Sequence, residues 1–285
     1  MVPQYFCIGG IMGFLERIRQ VFRRFTGRDN GIRIQYGSKA FQYGELYLAQ
    51  GAHGKTPIVV LIHGGFWRAA YKLSLMRGLA RDLAQQGITA WNIEYRRVGN
   101  ANGGWPNTML DVALATDYLR TLAPHYGLDA ERVVTVGHSA GGHLALWVAA
   151  RQRITAGELQ AQDPLHIVGA VSLAGCTDLD YVAQLGLGRG AAVELLGGEP
   201  QAVPERYAMA SPAALLPLRV PQVLIHGTQD NNVPFDVSQF YTRKAIEAGD
   251  DVMLIELPGA DHFVVIDPTS ESWTLTLKEI QRLLE

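Results

Sequence analysis

Val133-Val134-Thr135-Val136-Gly137-His138-Ser139-Ala140-Gly141-Gly142-His143 is the stretch whose reading decides the fold. Its β-branched start reads as a buried strand. An Ala/Leu-rich helical pattern, Leu144 to Ala150, follows at once. Strand, Gly-x-Ser-x-Gly turn and helix in immediate succession form the device that holds a serine Oγ out beyond the end of a sheet. The turn is so sharp that the residues two before and two after the serine must be small. Gly137 and Gly141 meet that need, and Ala140 adds no bulk. Strain fixes the serine, and the N–H groups of the next helix aim at the same spot. The pentapeptide alone would also suit an ordinary Gly-rich loop between strand and helix, but its flanks argue against that.

Outward from this stretch, strand and helix patterns alternate. Apolar runs over 57–62, 88–95, 167–173, 223–227 and 252–257 read as strands. Helical spacing covers 72–86, closed by Gly87, and then 107–123, 139–152, 235–248 and 274–284. Residues 32–49 hold two short strand-like pieces, the second an early antiparallel strand. The expected architecture is α/β, with a mostly parallel central sheet and helices on both faces. It occupies 31–285, with no second core. Residues 96–106 form a Gly/Asn-rich loop after a strand, and 176–221, the least regular part, suits a small cap of short helices.

The whole chain has 285 residues, 48% hydrophobic and 18% charged, with a formal net charge of −2. That balance calls for no nucleic-acid partner. Cys7 and Cys176 could in principle pair, but such sparse cysteine fits a reducing, cytoplasmic setting at least as well. No metal-binding spacing is present, and neither a metal nor another cofactor is expected. No apolar run approaches the roughly 20 residues of a membrane span. Residues 1–30 form an N-terminal amphipathic extension. Met1 to Gly10 lacks the marks of a signal peptide, and Met12 could be the true start. Within 11–28, Ile11, Phe14, Leu15, Ile18, Val21, Phe22 and Phe25 oppose Arg17, Arg23, Arg24 and Arg28. That pattern suits a helix lying on a membrane surface. A helix packed on the domain with a solvated basic face is the favoured reading. Residues 27–31 read as a linker.

A serine hydroxyl needs a base within hydrogen-bond reach and a third group to hold that base. Asp230 lies just beyond the strand at 223–227, and His262 just beyond the strand at 252–257. Both therefore fall at the sheet edge that carries Ser139. In this arrangement Asp230 fixes the tautomer of His262, and His262 takes the Ser139 proton. Asp261 and Asp236 are rivals for the acid. Asp261 adjoins the histidine on an extended segment, where neighbours point apart, and Asp236 looks like the cap region of the next helix. His138 and His143 are expected to pack or bond locally.

The tetrahedral intermediate of acyl transfer also needs donors for its oxyanion. The N–H of Ala140 is one. His63-Gly64-Gly65-Phe66-Trp67, directly after a strand, supplies the others, with the N–H groups of Gly65 and Phe66 as candidates. His63 is expected to orient this loop rather than act as a base. His63, Gly64 and Trp67 are candidate pocket residues, although Trp67 fits the core equally well.

From about Tyr36 onward these residues resemble the α/β-hydrolase superfamily, nearest to the branch of hormone-sensitive-lipase-like esterases and kynurenine formamidase (arylformamidase). His-Gly-Gly-Phe-Trp is more similar to the formamidase-type His-Gly-Gly-x-Trp than to the esterase His-Gly-Gly-Gly. Glu94-Tyr95-Arg96, Trp105-Pro106 and Asp111 also resemble that branch. The tail from Pro221 to Pro234 is similar to that of prolyl-oligopeptidase-type hydrolases, although large-peptidase activity is not expected. The resemblance implies cofactor-free hydrolysis of a small-molecule ester or amide by Ser139, Asp230 and His262. The expected function is cleavage of a small carboxylic ester through an acyl-enzyme, with arylformamidase as the alternative. An acyltransferase, an exopeptidase and a non-enzymatic binding protein on the same fold are the remaining readings.

Overall fold

The computed structural model describes residues 31–285. The helix and linker expected within 1–30 lie outside the described residues. Among the described residues eight strands, β1 (Ile32–Gln35), β2 (Tyr43–Tyr47), β3 (Thr56–Ile62), β4 (Thr89–Ile93), β5 (Leu128–His138), β6 (Gly169–Leu173), β7 (Gln222–Gly227) and β8 (Val252–Leu257), form one sheet. Its order is β1-β2-β4-β3-β5-β6-β7-β8. Only the β1–β2 and β2–β4 pairings are antiparallel, and every later pair is parallel.

The helices are α1 (Arg77–Gln85), α2 (Asn107–Asp117), α3 (Leu119–Tyr126), α4 (Ala140–Ala150), α5 (Leu179–Gln184), α6 (Leu187–Leu196), α7 (Pro204–Ala210), α8 (Asp236–Glu247) and α9 (Glu271–Leu284). Alternation along β3 explains why both faces of the sheet are covered. Ile58, Val60 and Ile62 join a core with Met109 and Val112 of α2, Leu144 of α4 and Tyr241 of α8. Val59 and Leu61 face the other way, toward Leu79 and Leu83 of α1 and Trp273 and Ile280 of α9. A strand buried on both sides has no polar face, hence the unbroken apolar run.

Most boundaries shift by a few residues from the sequence reading, and two of the differences have a clear cause. β5 begins at Leu128 rather than Val133, because the polar Asp129-Ala130-Glu131-Arg132 stretch hides strand geometry from a hydrophobicity pattern. Its pairing with β3 is irregular there, the register shifting between Thr56 and Ile58. The single helix expected over 107–123 is two, α2 and α3, meeting at Tyr118. Gly87 ends α1 at φ 79°, in the left-handed region expected of a helix stop. The irregular region 176–221 holds α5, α6 and α7. Within α6, Gly188, Arg189 and Gly190 form a left-handed turn, with φ of 57°, 58° and 77°.

Leu61→Ala removes a fully buried side chain between the sheet and α1 and α9. Such truncations cost about 2–5 kcal/mol. Thermal denaturation should show a midpoint lowered by about 5 °C or more; an unchanged midpoint would contradict the two-face packing.

Candidate active site

β5 enters the site through Gly137 and His138 and leaves it through α4. At the junction Ser139 takes φ 57° and ψ −121°, a conformation that a residue with a Cβ rarely adopts. The glycines on either side are steric necessities. A Cβ on Gly137 would overlap the Gly141 carbonyl, and one on Gly141 would overlap the Ile62 carbonyl. The serine backbone is tied on several sides. Its N–H donates to Leu173 O at 2.8 Å, and its carbonyl accepts from Gly142, His143 and Cys176 N–H groups at 2.9, 3.2 and 3.3 Å. The Cys176 thiol also hydrogen-bonds with Ser139. Burial and the Asp230 charge push that thiol up to about 12, so it stays protonated despite the opposing Ser139 bond.

β3 delivers the second part. A Cβ added to Gly64 would sit 2.6 Å from His138 O and 2.9 Å from Ser139 Cβ, so the bare backbone of this loop presses on the serine. Gly65, Phe66 and Trp67 follow at φ 113°, 50° and 54°. Three successive residues in that region turn the chain tightly, at a cost of about 1–3 kcal/mol for each non-glycine. The N–H groups of Gly65 and Phe66 donate to no protein acceptor among the described residues. Ala140 opens α4 and is buried. Trp67 belongs to the core: it is fully buried, and its Nε1–H donates to His143 Nδ1 at 3.2 Å. His63 is buried at the root of the loop, with Nε2 2.9 Å from Glu94 Oε1 and Nδ1 2.8 Å from Gly64 O.

Asp230 and His262 meet beyond β7 and β8. His262 Nδ1 lies 2.6 Å from Asp230 Oδ2. The other carboxylate oxygen accepts from Asn232 and Val233 N–H groups at 2.8 and 2.9 Å. His226 is a second imidazole on the same acid. Its Nε2 lies 3.1 Å from Asp230 Oδ2 and 2.9 Å from Val233 O, both acceptors, so this nitrogen carries the proton. Its Nδ1 accepts from the Ser238 hydroxyl at 2.7 Å. Burial pushes the Asp230 carboxyl up, but the bonds from His226 and His262, the His262 charge and the Val233 N–H outweigh it. They hold the group well below the usual carboxylate range. An ionised Asp230 requires a proton on His262 Nδ1, which leaves Nε2 with its lone pair.

The rivals have other partners. Asp261 accepts from Phe263 and Val264 N–H groups at 2.9 and 3.0 Å, a turn of its own. Asp236, in the first turn of α8, accepts from the Tyr181 hydroxyl at 2.9 Å. The two histidines beside the serine are packed in the interior, one of the two outcomes expected, but their hydrogen bonds are not local. His138 Nε2 reaches His262 O at 2.8 Å, and His143 Nε2 reaches Ala210 O at 2.9 Å. The serine turn and the start of α4 therefore buttress the His262 backbone and anchor α7, links that no local pattern could reveal. His226 also escaped notice; its one sequence signal is its position at a strand end, four residues before Asp230.

The match to known proteins follows this geometry. A family model, BD-FAE, matches residues 45–244, more than half of the chain. The chain belongs to the BD-FAE family. A relative from Oryza sativa subsp. japonica, a probable isoprenylcysteine alpha-carbonyl methylesterase ICME, is 26% identical over 86% of this chain and 61% of its own. Esterase LipC of Mycobacterium tuberculosis is 27% identical over 95% of this chain and 68% of its own. The chain spans 61%, 50% and 60% of the length of three plant methylesterases that it matches. A truncated carbohydrate esterase from gut microbiota shares the fold with a TM-score of 0.80 at 20% identity, over 90% of this chain and 98% of its own. Thermogutta terrifontis Est2 shares it with a TM-score of 0.71 at 23% identity, over 89% of this chain and 93% of its own. The architecture is thus the α/β-hydrolase fold. Among the described residues no helix is long and apolar enough to cross a membrane.

In this BD-FAE chain His143 is fully buried, and burial lowers its pKa to about 4, against an opposing bond to Ala210. The folded value lies below the ordinary one, so the unfolded chain takes up the proton first. Stability from this group is present above about pH 6.5 and is lost as pH falls toward 4. Gln at 143 keeps a donor and an acceptor without a titrating ring. The denaturation midpoint of His143→Gln should therefore decline less than that of the parent between pH 6.5 and 4.5. Equal slopes would contradict a neutral, buried His143.

Proposed function

We propose that this chain is a serine esterase that cleaves a small carboxylic ester through an acyl-enzyme on Ser139. The observation that carries the proposal is the 2.6 Å bond from His262 Nδ1 to an ionised Asp230, with the His262 carbonyl tied at 2.8 Å to His138, the residue before the strained serine. With Nδ1–H committed to Asp230, His262 Nε2 is the free base. It accepts the Ser139 proton as Oγ attacks the ester carbonyl. The N–H groups of Gly65, Phe66 and Ala140 receive the oxyanion. Each such donor is worth about 10²–10³ in kcat in a well-studied protease. The imidazolium then protonates the departing alcohol, and water repeats the sequence to release the acid.

Three further facts bear on the substrate. Ser139 and His262 are only 2% and 4% exposed, which suits a small reacting group. Phe263, 50% exposed, lies 5.2 Å from the His262 ring, and Tyr71, 44% exposed, packs on Gly65, so the rim is aromatic. The plant relatives are named as methylesterases. A small alcohol is therefore the first leaving group to try, and no cofactor or nucleic acid enters the scheme.

With purified protein, p-nitrophenyl acetate should be turned over with kcat/KM of about 10⁴ M⁻¹s⁻¹ or more, and N-formylkynurenine far more slowly. The reverse ranking would make the protein an arylformamidase. No turnover of either, with no transfer to an added alcohol and no release of terminal residues from short peptides, would leave a binding protein. Asp230→Asn should lower kcat by about 10⁴-fold, as for the corresponding change in a serine protease. Asp261→Asn should change it less than about twofold; the opposite pattern would move the acid to position 261.

A further inference from the structure

Behind the loop His63–Trp67 lies a buried charged cluster that this mechanism does not use. Glu94, directly after β4, is 1% exposed, His63 is fully buried and Arg97 is 2% exposed. Glu94 Oε1 lies 2.9 Å from His63 Nε2 and 3.1 Å from Arg97 Nη2, and it accepts from the Tyr95 N–H at 3.1 Å. Oε2 accepts from the Leu73 N–H at 3.2 Å. Burial raises the carboxyl, but the bond from His63, the charges of His63 and Arg97 and the Leu73 N–H together lower it. Glu94 is therefore a carboxylate and can only accept.

The His63 ring then has an acceptor at each end. Nε2 faces the Glu94 carboxylate, and Nδ1 faces the Gly64 carbonyl at 2.8 Å. A neutral imidazole has one N–H, so either tautomer would set a nitrogen lone pair against an oxygen lone pair at hydrogen-bond distance. Only the imidazolium satisfies both contacts. Arg97, on the same Glu94 oxygen, is a like charge that opposes this, and the Tyr95 ring face favours it. The Tyr95 ring stacks on the imidazole with centroids 4.5 Å apart and an interplanar angle of 18°, and the Tyr95 hydroxyl donates to His63 O at 2.7 Å. The other charged or titratable groups nearby are Arg97, the Arg96–Asp111 pair and His138, which burial keeps neutral with a pKa of about 3.

The Gly64 carbonyl and the Gly65 N–H belong to one peptide group. A charged donor on the oxygen draws electron density toward it and makes the N–H a stronger donor. We propose that His63 is a buried imidazolium whose Nδ1–H holds and polarises the Gly64–Gly65 peptide. Glu94, acting through His63, is then a positioning residue for the Gly65 oxyanion donor. The role of the Gly65 N–H rests on the esterase reading; the protonation of His63 does not.

The experiment has two arms. The full chain carrying ¹⁵N-histidine is examined at pH 7 by long-range ¹H–¹⁵N correlation, with the His63 signals identified by their loss in His63→Gln. Both His63 nitrogens should show the shifts of protonated nitrogens, and one unprotonated-type shift would overturn the imidazolium. In Glu94→Gln one nitrogen should become unprotonated. Its kcat on p-nitrophenyl acetate should fall about 10- to 100-fold, part of the effect of losing a donor outright, with KM within about twofold. An unchanged kcat in a Glu94→Gln protein that still melts cooperatively would overturn the positioning role. If the parent hydrolyses no ester, the esterase reading fails and the positioning role with it, while the nitrogen shifts still decide the ring's charge. If Glu94→Gln does not fold, the parent spectrum alone decides the imidazolium.

Discussion

A serine held at φ 57° and ψ −121° costs on the order of 1–3 kcal/mol, and most of the site exists because the fold sustains that conformation. Two parallel strands meet the turn. β6 accepts the serine N–H through Leu173, and β3 lays the Ile62 carbonyl against Gly141 so closely that no side chain fits. The Gly64 backbone then touches the serine side chain from the β3 side. None of this works without β3 and β5 as parallel neighbours at the centre of the sheet. A parallel pair in turn needs crossover helices, which bury both faces. The strain at one residue and the layering of the whole chain are parts of one arrangement.

Electrostatics at the sheet edge follow from the same burial. Asp230 lies where an isolated carboxylate would be neutralised, yet four N–H groups, from His262, His226, Asn232 and Val233, keep it charged. Its charge decides which nitrogen of His262 is protonated. His138, neutral because it is buried, holds the His262 backbone through Nε2. Three imidazoles thus converge with different hydrogen-bonding roles: His226 is bonded through both nitrogens, His138 keeps a buried Nδ1 without a partner, and His262 keeps the lone pair of Nε2. On the other side of the serine, His63 faces two acceptors and has no nitrogen left over.

The layered fold was readable because its signals are local: apolar runs, helical spacing and Gly stops. Asp230 and His262 were readable because a parallel sheet gathers every strand's carboxyl end at one edge, so position along the chain implies position in space. What escaped depends on side chains meeting across long separations. Trp67 could not be divided between pocket and core until His143 stood opposite it. The partners of His138 and His143 are 124 and 67 residues away. The polar start of β5 was invisible to a hydrophobicity pattern because its pairing, not its composition, makes it a strand.

The most direct test of the account is covalent. A fluorophosphonate reacts only with a serine made nucleophilic by a neighbouring base, in a site that stabilises an oxyanion. Intact-mass and peptide analysis should show one adduct per chain, on Ser139, formed quickly near neutral pH and abolished in Ser139→Ala. No adduct on a folded protein, or an adduct on another serine, would contradict the claim that this strained turn presents the nucleophile.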